Sequence, residues 1–123
     1  MSRHRILLVD DDPTLRALVR MTLPTDGLDV IEAADAEEAI RLVDDSPFDL
    51  VVLDWSMPVG TGEDVLRALK DRQQEASVIV LTAELNPSYR ALATSLGADR
   101  FLTKPFSPLQ LLGEIERLLQ LGR

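Results

Sequence analysis

The stretch Ile6-Leu7-Leu8-Val9-Asp10-Asp11-Asp12 places four consecutive apolar residues directly before three acids. A continuous apolar run of this length is typical of a strand in a parallel sheet whose two faces are both covered by helices. Further runs of this kind are Leu50–Leu53, Val78–Leu81 and the weaker Leu28–Ile31, and Arg100–Thr103 is a fifth candidate strand. Segments with helical spacing separate the runs, so the sequence predicts an α/β fold with five strands in one sheet, five helices on both faces and right-handed crossovers.

Capping signals support these divisions. Asp12 precedes Pro13, and Ser107 precedes Pro108, as expected for N-cap residues followed by proline in the first helical position. Asp35 is expected to cap a helix that begins at Ala36, with Glu38 as its capping-box partner. We therefore interpret Asp12 as a cap rather than as a site residue. The segment Pro108–Leu119 predicts an amphipathic last helix.

Composition excludes several classes of function. A chain of 123 residues, 46% hydrophobic and 28% charged, predicts one globular domain spanning 1–123. The net charge of −8 disfavours direct binding to nucleic acid or anionic lipid. The absence of cysteine and the single His4 exclude disulfides, thiolate metal sites and histidine metal clusters. Because no apolar run is long enough for a membrane span or a signal peptide, we expect a cytoplasmic location.

Chemistry-bearing residues follow the predicted strands. The carboxyl ends of parallel strands form the usual binding edge of such a sheet, and here they carry Asp10, Asp11, Asp54, Thr82 and Lys104. If the first and third strands are neighbours, the three acids converge and repel one another unless a cation lies between them. Hard carboxylate oxygens suit Mg²⁺. Each residue alone has an ordinary explanation, as a helix-start acid, a strand threonine or a surface lysine, but their joint placement favours a site.

These residues, in this order, resemble the receiver domain of two-component response regulators. The spacings are 44 residues from Asp10 to Asp54, 28 on to Thr82 and 22 on to Lys104. The resemblance covers the whole chain, and the segments that carry it are Ile6–Asp12, Leu53–Pro58 with Gly62, Val80–Ala83, Gly97–Asp99 and Phe101–Phe106.

The resemblance implies a flavodoxin-like, doubly wound sheet of order 2-1-3-4-5. It implies that Asp54 accepts phosphate from a histidine kinase or a phosphotransfer protein. Mg²⁺, or Mn²⁺ in its place, would be held by Asp10, Asp11, Asp54 and the backbone carbonyl of Ser56. Thr82 and Lys104 would contact the phosphoryl group, and the Lys104–Pro105 bond would be cis. Such a protein is a switch that promotes its own phosphorylation and dephosphorylation, not a classical enzyme.

The resemblance also implies how the signal leaves the site. Movement of Thr82 toward Asp54 would let Phe101 shift, and the surface formed by the fourth helix, fifth strand and fifth helix would change. That surface, which carries Tyr89, Arg90, Arg100 and Gln110, would bind a downstream protein, act on a covalently linked output domain or form a phosphorylation-dependent homodimer. The domain would otherwise be a monomer that binds neither nucleic acid nor membrane. Ser56 and Glu84 are expected to tune dephosphorylation.

Three alternatives remain open at this point. Phe101 could be a core residue that keeps one position. The chain could be a receiver-like interaction module that works without phosphate, although all the expected acids and Lys104 are present. A Mg²⁺-dependent aspartyl-phosphate phosphohydrolase is disfavoured, because Ser56 stands where a second acid is usual and the chain leaves no room for a substrate cap. The sequence does not decide whether the natural chain continues after Arg123.

Overall fold

A computed structural model describes residues 3–57, 60–83 and 86–120. Within these residues, five strands alternate with five helices. In chain order they are β1 His4–Val9, α1 Pro13–Thr22, β2 Leu28–Ala33, α2 Ala36–Asp45, β3 Leu50–Asp54, α3 Gly62–Asp71, β4 Ser77–Thr82, α4 Pro87–Ser95, β5 Arg100–Thr103 and α5 Pro108–Leu119. All strand pairs are parallel, and the order β2-β1-β3-β4-β5 confirms the predicted topology.

Alternate residues of the central strands enter two separate cores. In β1, Leu7 and Val9 face the core under α2, α3 and α4, whereas Ile6 and Leu8 face the core under α1 and α5. All four side chains are at most 1% exposed. Helices on both faces therefore explain why the strand sequences are continuously apolar rather than alternating.

The helix starts follow the predicted caps, with one difference. The Asp12 carboxylate accepts hydrogen bonds from the backbone N–H groups of Thr14 and Leu15, so its reading as a cap is confirmed. Asp35 accepts from the N–H of Glu38, but the Glu38 carboxylate accepts from Ala34 instead of Asp35. The predicted reciprocal box at α2 is therefore wrong, because the longer Glu38 side chain reaches one residue further back along the chain.

A complete capping box is present at α3, where the sequence analysis did not identify one. The hydroxyl of Thr61 accepts from the N–H of Asp64, and the Asp64 carboxylate accepts from the N–H of Thr61. The Thr-x-x-Asp spacing of these residues is the sequence pattern that could have predicted this capping box.

Two strands are longer at the site edge than their apolar runs indicate. Asp54 pairs with Leu81 and Thr82 pairs with Thr103, so both polar residues are the last residues of their strands. Ladder pairing continues past the apolar run because backbone hydrogen bonds do not depend on the side chain. Asp54 and Thr82 are thus held by the sheet rather than by a loop.

Arginine side chains cover the edge strand β2. Arg3 donates to the carbonyl of Leu28 and Arg20 donates to the carbonyl of Val30, at 2.9 and 2.7 Å. Along the chain these carbonyls alternate with those of Gly27 and Asp29. The Gly27 carbonyl accepts a hydrogen bond from the N–H of His4 and so faces the neighbouring strand β1. Capped outward carbonyls cannot pair with another strand. None of the described helices has the length and apolar character that a membrane span requires.

Candidate functional site

The three predicted acids lie together at the carboxyl edge of the sheet. Asp10 follows β1 directly and Asp54 ends the neighbouring strand β3. Asp10 is 0% exposed and Asp54 is 4% exposed, whereas Asp11 is exposed to solvent. One carboxylate oxygen from each lies within 4.8 Å of the others. The expected convergence is therefore present, at the point where the strand connections leave in opposite directions.

Backbone groups fix the two buried carboxylates. Asp10 Oδ1 accepts from the N–H of Asp12 at 2.9 Å, and Arg16 Nη1 donates to the Asp10 carbonyl at 2.6 Å. Asp54 Oδ1 accepts from the N–H of Ser56 at 3.3 Å. Each carboxylate therefore keeps its second oxygen, Oδ2, turned toward a shared neighbour.

That neighbour is Lys104, which follows β5. Its Nζ donates to Asp10 Oδ2 at 3.0 Å and lies 3.3 Å from Asp54 Oδ2. From the sequence, Lys104 was expected to contact a phosphoryl group on Asp54, and in the structure its ammonium lies closer to Asp10 than to Asp54. The N–H of Lys104 bonds the carbonyl of Thr82 at 2.8 Å, and the Lys104–Pro105 peptide is cis. One ammonium thus bridges two buried carboxylates.

Electrostatics at the site depend on burial. Removal from water, with repulsion from Asp10 as the next cause, raises the pKa of Asp54 to about 6, although Lys104 and the Ser56 N–H oppose the rise. Burial also disfavours the Lys104 ammonium, but its hydrogen bond to Asp10 and the charge of Asp54 outweigh this, so the pKa of Lys104 is raised. The single Lys104 ammonium contacts two of the three clustered carboxylates.

The donor set fits a hard divalent cation. All three clustered ligands are carboxylates, whose oxygens Mg²⁺ prefers, and two of them are buried and pre-positioned. The carboxylates of the cluster carry more negative charge than the one ammonium neutralises, and a bound divalent cation would balance this excess while the carboxylates stay ionised. The exposed Asp11 leaves the cluster open to solvent on one side. The residues present therefore suit the metal that the sequence predicted.

The loop after Asp54 is held against the start of α3. Ser56, which is exposed, forms an isolated antiparallel bridge with Thr61. Gly62 is buried, and a Cβ there would lie 2.9 Å from the Cα of Trp55 and 3.0 Å from the carbonyl oxygen of Asp54. Only glycine therefore lets α3 begin this close to the acceptor candidate. Glu84, predicted to tune dephosphorylation, lies outside the described residues.

Thr82 and Phe101 share a small cavity behind the acids. The cavity has a volume of about 10 Å³, and its walls are Trp55, Val80, Thr82, Asn86, Tyr89, Arg90, Ala93 and Phe101. Val80 pairs with Phe101 in the sheet, and the half-buried Phe101 ring packs against the core under α4. The Arg90 guanidinium lies over that ring, 5.2 Å from its centroid. Arg90 was expected to be a surface residue, and its contact with Phe101 was not predicted. The two residues are eleven positions apart on different elements, and no sequence pattern indicates such a contact.

Comparison with known proteins agrees with this geometry. Residues 6–116 match the family described as the response regulator receiver domain. The transcriptional regulatory protein CpxR of Escherichia coli is 44% identical over 117 residues, which are 95% of this chain and 50% of that protein. The chain spans about half the length of the curated relatives it matches.

Solved structures show the same likeness. The chemotaxis response regulator CheY4 of Vibrio cholerae is 33% identical with a TM-score of 0.86, and the match covers 95% of this chain and 99% of that one. DrrB of Thermotoga maritima, an OmpR/PhoB homologue, is 32% identical with a TM-score of 0.84, covering 98% of this chain and 54% of that one.

Proposed function

The chain belongs to the response regulator receiver domain family, and from that premise we propose that Asp54 accepts a phosphoryl group from a histidine kinase or a phosphotransfer protein. Proteins of this family are phosphorylation-based signalling switches rather than classical enzymes. The observation that carries the proposal is the position of Asp54. It ends β3 with 4% exposure, clusters with Asp10 and Asp11, and lies 3.3 Å from Lys104.

The transfer needs no general base. A carboxylate oxygen of ionised Asp54 forms a bond to phosphorus while the bond from phosphorus to the donor's imidazole nitrogen breaks. The electron pair of that bond stays on this nitrogen, and the donor ring leaves as neutral imidazole when its other nitrogen carries a proton. Phosphoryl transfer asks mainly for alignment and for neutralisation of charge, and both are supplied by groups fixed around Asp54.

Asp10, Asp11, Asp54 and the backbone carbonyl of Ser56 would hold Mg²⁺, or Mn²⁺ in its place. When bound, the metal supplies charge neutralisation between the carboxylates and the phosphoryl oxygens. Asp10 is already oriented for this role by the N–H of Asp12, and Asp54 by the N–H of Ser56.

Lys104 and Thr82 would receive the phosphoryl oxygens. The Lys104 ammonium reaches Asp54 Oδ2 already, so a phosphoryl group on Asp54 enters the range of a charge-assisted hydrogen bond. The Thr82 hydroxyl can donate a second bond. Ser56 and Glu84, two residues after Asp54 and Thr82, would govern access of the hydrolysing water. We expect their substitution to change dephosphorylation more than phosphorylation, as measured by the decay and uptake of phosphate.

The output would leave through α4, β5 and α5. Attraction of Thr82 to the phosphoryl group would empty space beside β4, and Phe101 would move into it. The changed α4–β5–α5 surface would bind a downstream protein, act on a covalently linked output domain or form a homodimer, all in the cytoplasm. We expect Phe101→Ala to keep phosphorylation of Asp54 while weakening the partner response, and equal loss of both would exclude this role.

The decisive experiment is the intact mass of the protein after incubation with acetyl phosphate and Mg²⁺. One added phosphoryl group is expected on the wild type, and none on Asp54→Asn or after chelation of the metal. Asp71→Asn, an exposed acid of α3, is the matched control and should be modified like the wild type. Phosphate on Asp54→Asn would contradict the proposal. If the wild type gains none although it binds Mg²⁺, binding of beryllofluoride would distinguish a short-lived phosphoryl group from a phosphate-independent module.

A further inference from the structure

Arg90 differs from the other arginines of residues 3–57, 60–83 and 86–120. Each of those binds at least one oxygen atom of a carboxylate, a hydroxyl or a carbonyl: Arg3, Arg5, Arg16, Arg20, Arg41, Arg67, Arg72, Arg100 and Arg117. Across the same residues, the Arg90 side chain has neither an ion pair nor a hydrogen bond, and its one specific contact is the Phe101 ring, 5.2 Å from the guanidinium. That distance is within cation–π range. The guanidinium therefore interacts with the ring instead of with an acid.

The ring under Arg90 is one wall of the Thr82 cavity. With a volume of about 10 Å³, the cavity has room for about one water molecule and far less than an aromatic ring needs. Phe101 can therefore move toward Thr82 only if the cavity first grows, as it would when Thr82 turns toward Asp54. In the structure described, the ring occupies the position that Arg90 covers.

We propose that Arg90 is a positioning residue that holds Phe101 in its unphosphorylated position and so weakens the response to phosphate. This inference rests on the function proposed above, in which Phe101 moves after Thr82. Among the residues that line the cavity, Val80 and Ala93 are buried, whereas Arg90 is exposed to solvent. A guanidinium that followed the ring inward would lose its hydration without gaining an acidic partner. The contact therefore stabilises one position of the ring and not the other.

The size of the effect follows from the strength of an exposed cation–π contact. Such a contact corresponds to about a two- to fivefold shift in the equilibrium between the two ring positions. Because a ligand that needs the inward position must overcome that equilibrium, its apparent dissociation constant changes by up to the same factor.

The test is a titration with beryllofluoride in the presence of Mg²⁺, followed by the fluorescence of Trp55, the only tryptophan. Arg90→Met keeps much of the side-chain stem but removes the charge, and we expect it to bind the analogue two- to fivefold more tightly than the wild type. Arg90→Lys retains a cation and should bind like the wild type. The direction is diagnostic, since loss of a positive charge would by itself weaken binding of an anion.

Two controls distinguish the Arg90–Phe101 contact from a general effect of removing a positive charge. Arg41→Met removes an equal charge from an exposed position on α2 and should leave the affinity unchanged. In a Phe101→Leu background, which lacks the aromatic ring, Arg90→Met should no longer tighten binding.

The outcomes are distinguishable. Three results would each contradict the proposed role of Arg90 and leave the phosphoacceptor proposal intact. They are unchanged or weaker binding of beryllofluoride by Arg90→Met, an equal gain in affinity in Arg41→Met, and a gain in affinity that persists without the Phe101 ring. Failure of the wild type to bind beryllofluoride with Mg²⁺ present would instead contradict the proposed function, and the proposed role of Arg90 would fail with it.

Discussion

Replacing Asp54 by asparagine should stabilise the metal-free protein at neutral pH. Asp54 is 4% exposed, and its pKa is raised from 3.8 to about 6 by burial and by the neighbouring Asp10 charge. A raised pKa means that the ionised carboxylate is less stable in the folded than in the unfolded chain. Asparagine carries no charge and can still accept the N–H bond from Ser56. The substitution therefore removes a cost that the wild type bears whenever Asp54 is ionised.

The sign of the pH dependence follows from the direction of the shift. Well below pH 3.8 the carboxyl is protonated in both states, so Asp54 imposes no penalty. As the pH rises from about 4 to 6, the unfolded chain ionises first and the free energy of unfolding falls. Above pH 6 the penalty is complete. A rise of the Asp54 pKa from 3.8 to about 6 corresponds to up to about 3 kcal/mol of unfolding free energy, which is the stabilisation expected for Asp54→Asn at pH 7.

The assay is urea denaturation in EDTA, repeated between pH 4 and 7.5. The difference in unfolding free energy between Asp54→Asn and the wild type should be small at pH 4 and should grow toward pH 7. Asp71→Asn, at an exposed position of α3, should stay within about 0.5 kcal/mol of the wild type at every pH. A difference in unfolding free energy that is constant with pH, or that is larger at pH 4, would refute the conclusion that the buried Asp54 charge destabilises the fold.

Three other perturbations test separate parts of the structure. Mg²⁺ at a hundred times its dissociation constant should raise the unfolding free energy of the wild type by about 2.7 kcal/mol, and Asp10→Asn should lose most of this gain in the same urea assay. Lys104→Met should lower the rate of Asp54 phosphorylation by about ten- to a hundredfold in intact-mass time courses, because the ammonium 3.3 Å from Asp54 is lost; an unchanged rate would exclude its role. Gly62→Ala should destabilise the protein by about 1–3 kcal/mol in thermal unfolding, since its Cβ would lie 2.9 Å from the Cα of Trp55, and a neutral result would mean that the Trp55 loop moves freely.

The sheet and the acid cluster were predictable because both depend on short-range patterns. Continuous apolar runs such as Leu50–Leu53 mark strands that are buried on both faces, and residues that follow parallel strands share one edge of the sheet. Asp10 and Asp54 are 44 residues apart, and the strand order that the family resemblance implied, with β1 beside β3, was needed to predict that they lie together. Helix starts at Pro13 and Pro108 followed from local capping chemistry in the same way.

Side-chain partners across elements were not predictable to the same degree. Strand order places Lys104 near the site, but its shorter contact with Asp10 than with Asp54 depends on distances set by the twist and packing of the finished sheet. At α2, the cap residue was correct and the Glu38 contact was not, because a flexible side chain can reach either of two adjacent N–H groups. The contact of Arg90 with Phe101 likewise depends on how α4 lies over β5.

The same bridging lysine connects the stability of the site to its proposed chemistry. Lys104 contacts Asp10 and Asp54 together, so the protein tolerates two buried carboxylates by sharing one ammonium between them. One charge cannot neutralise two, and the pKa of Asp54 is raised, first by its burial and next by the charge of Asp10. A divalent cation bound by Asp10 and Asp11 would supply the missing positive charge and free Lys104 to turn toward a phosphoryl group on Asp54. The energetic cost of ionised Asp54 and its capacity to accept phosphate would thus have one origin: this carboxylate is buried beside Asp10, and the two share one ammonium.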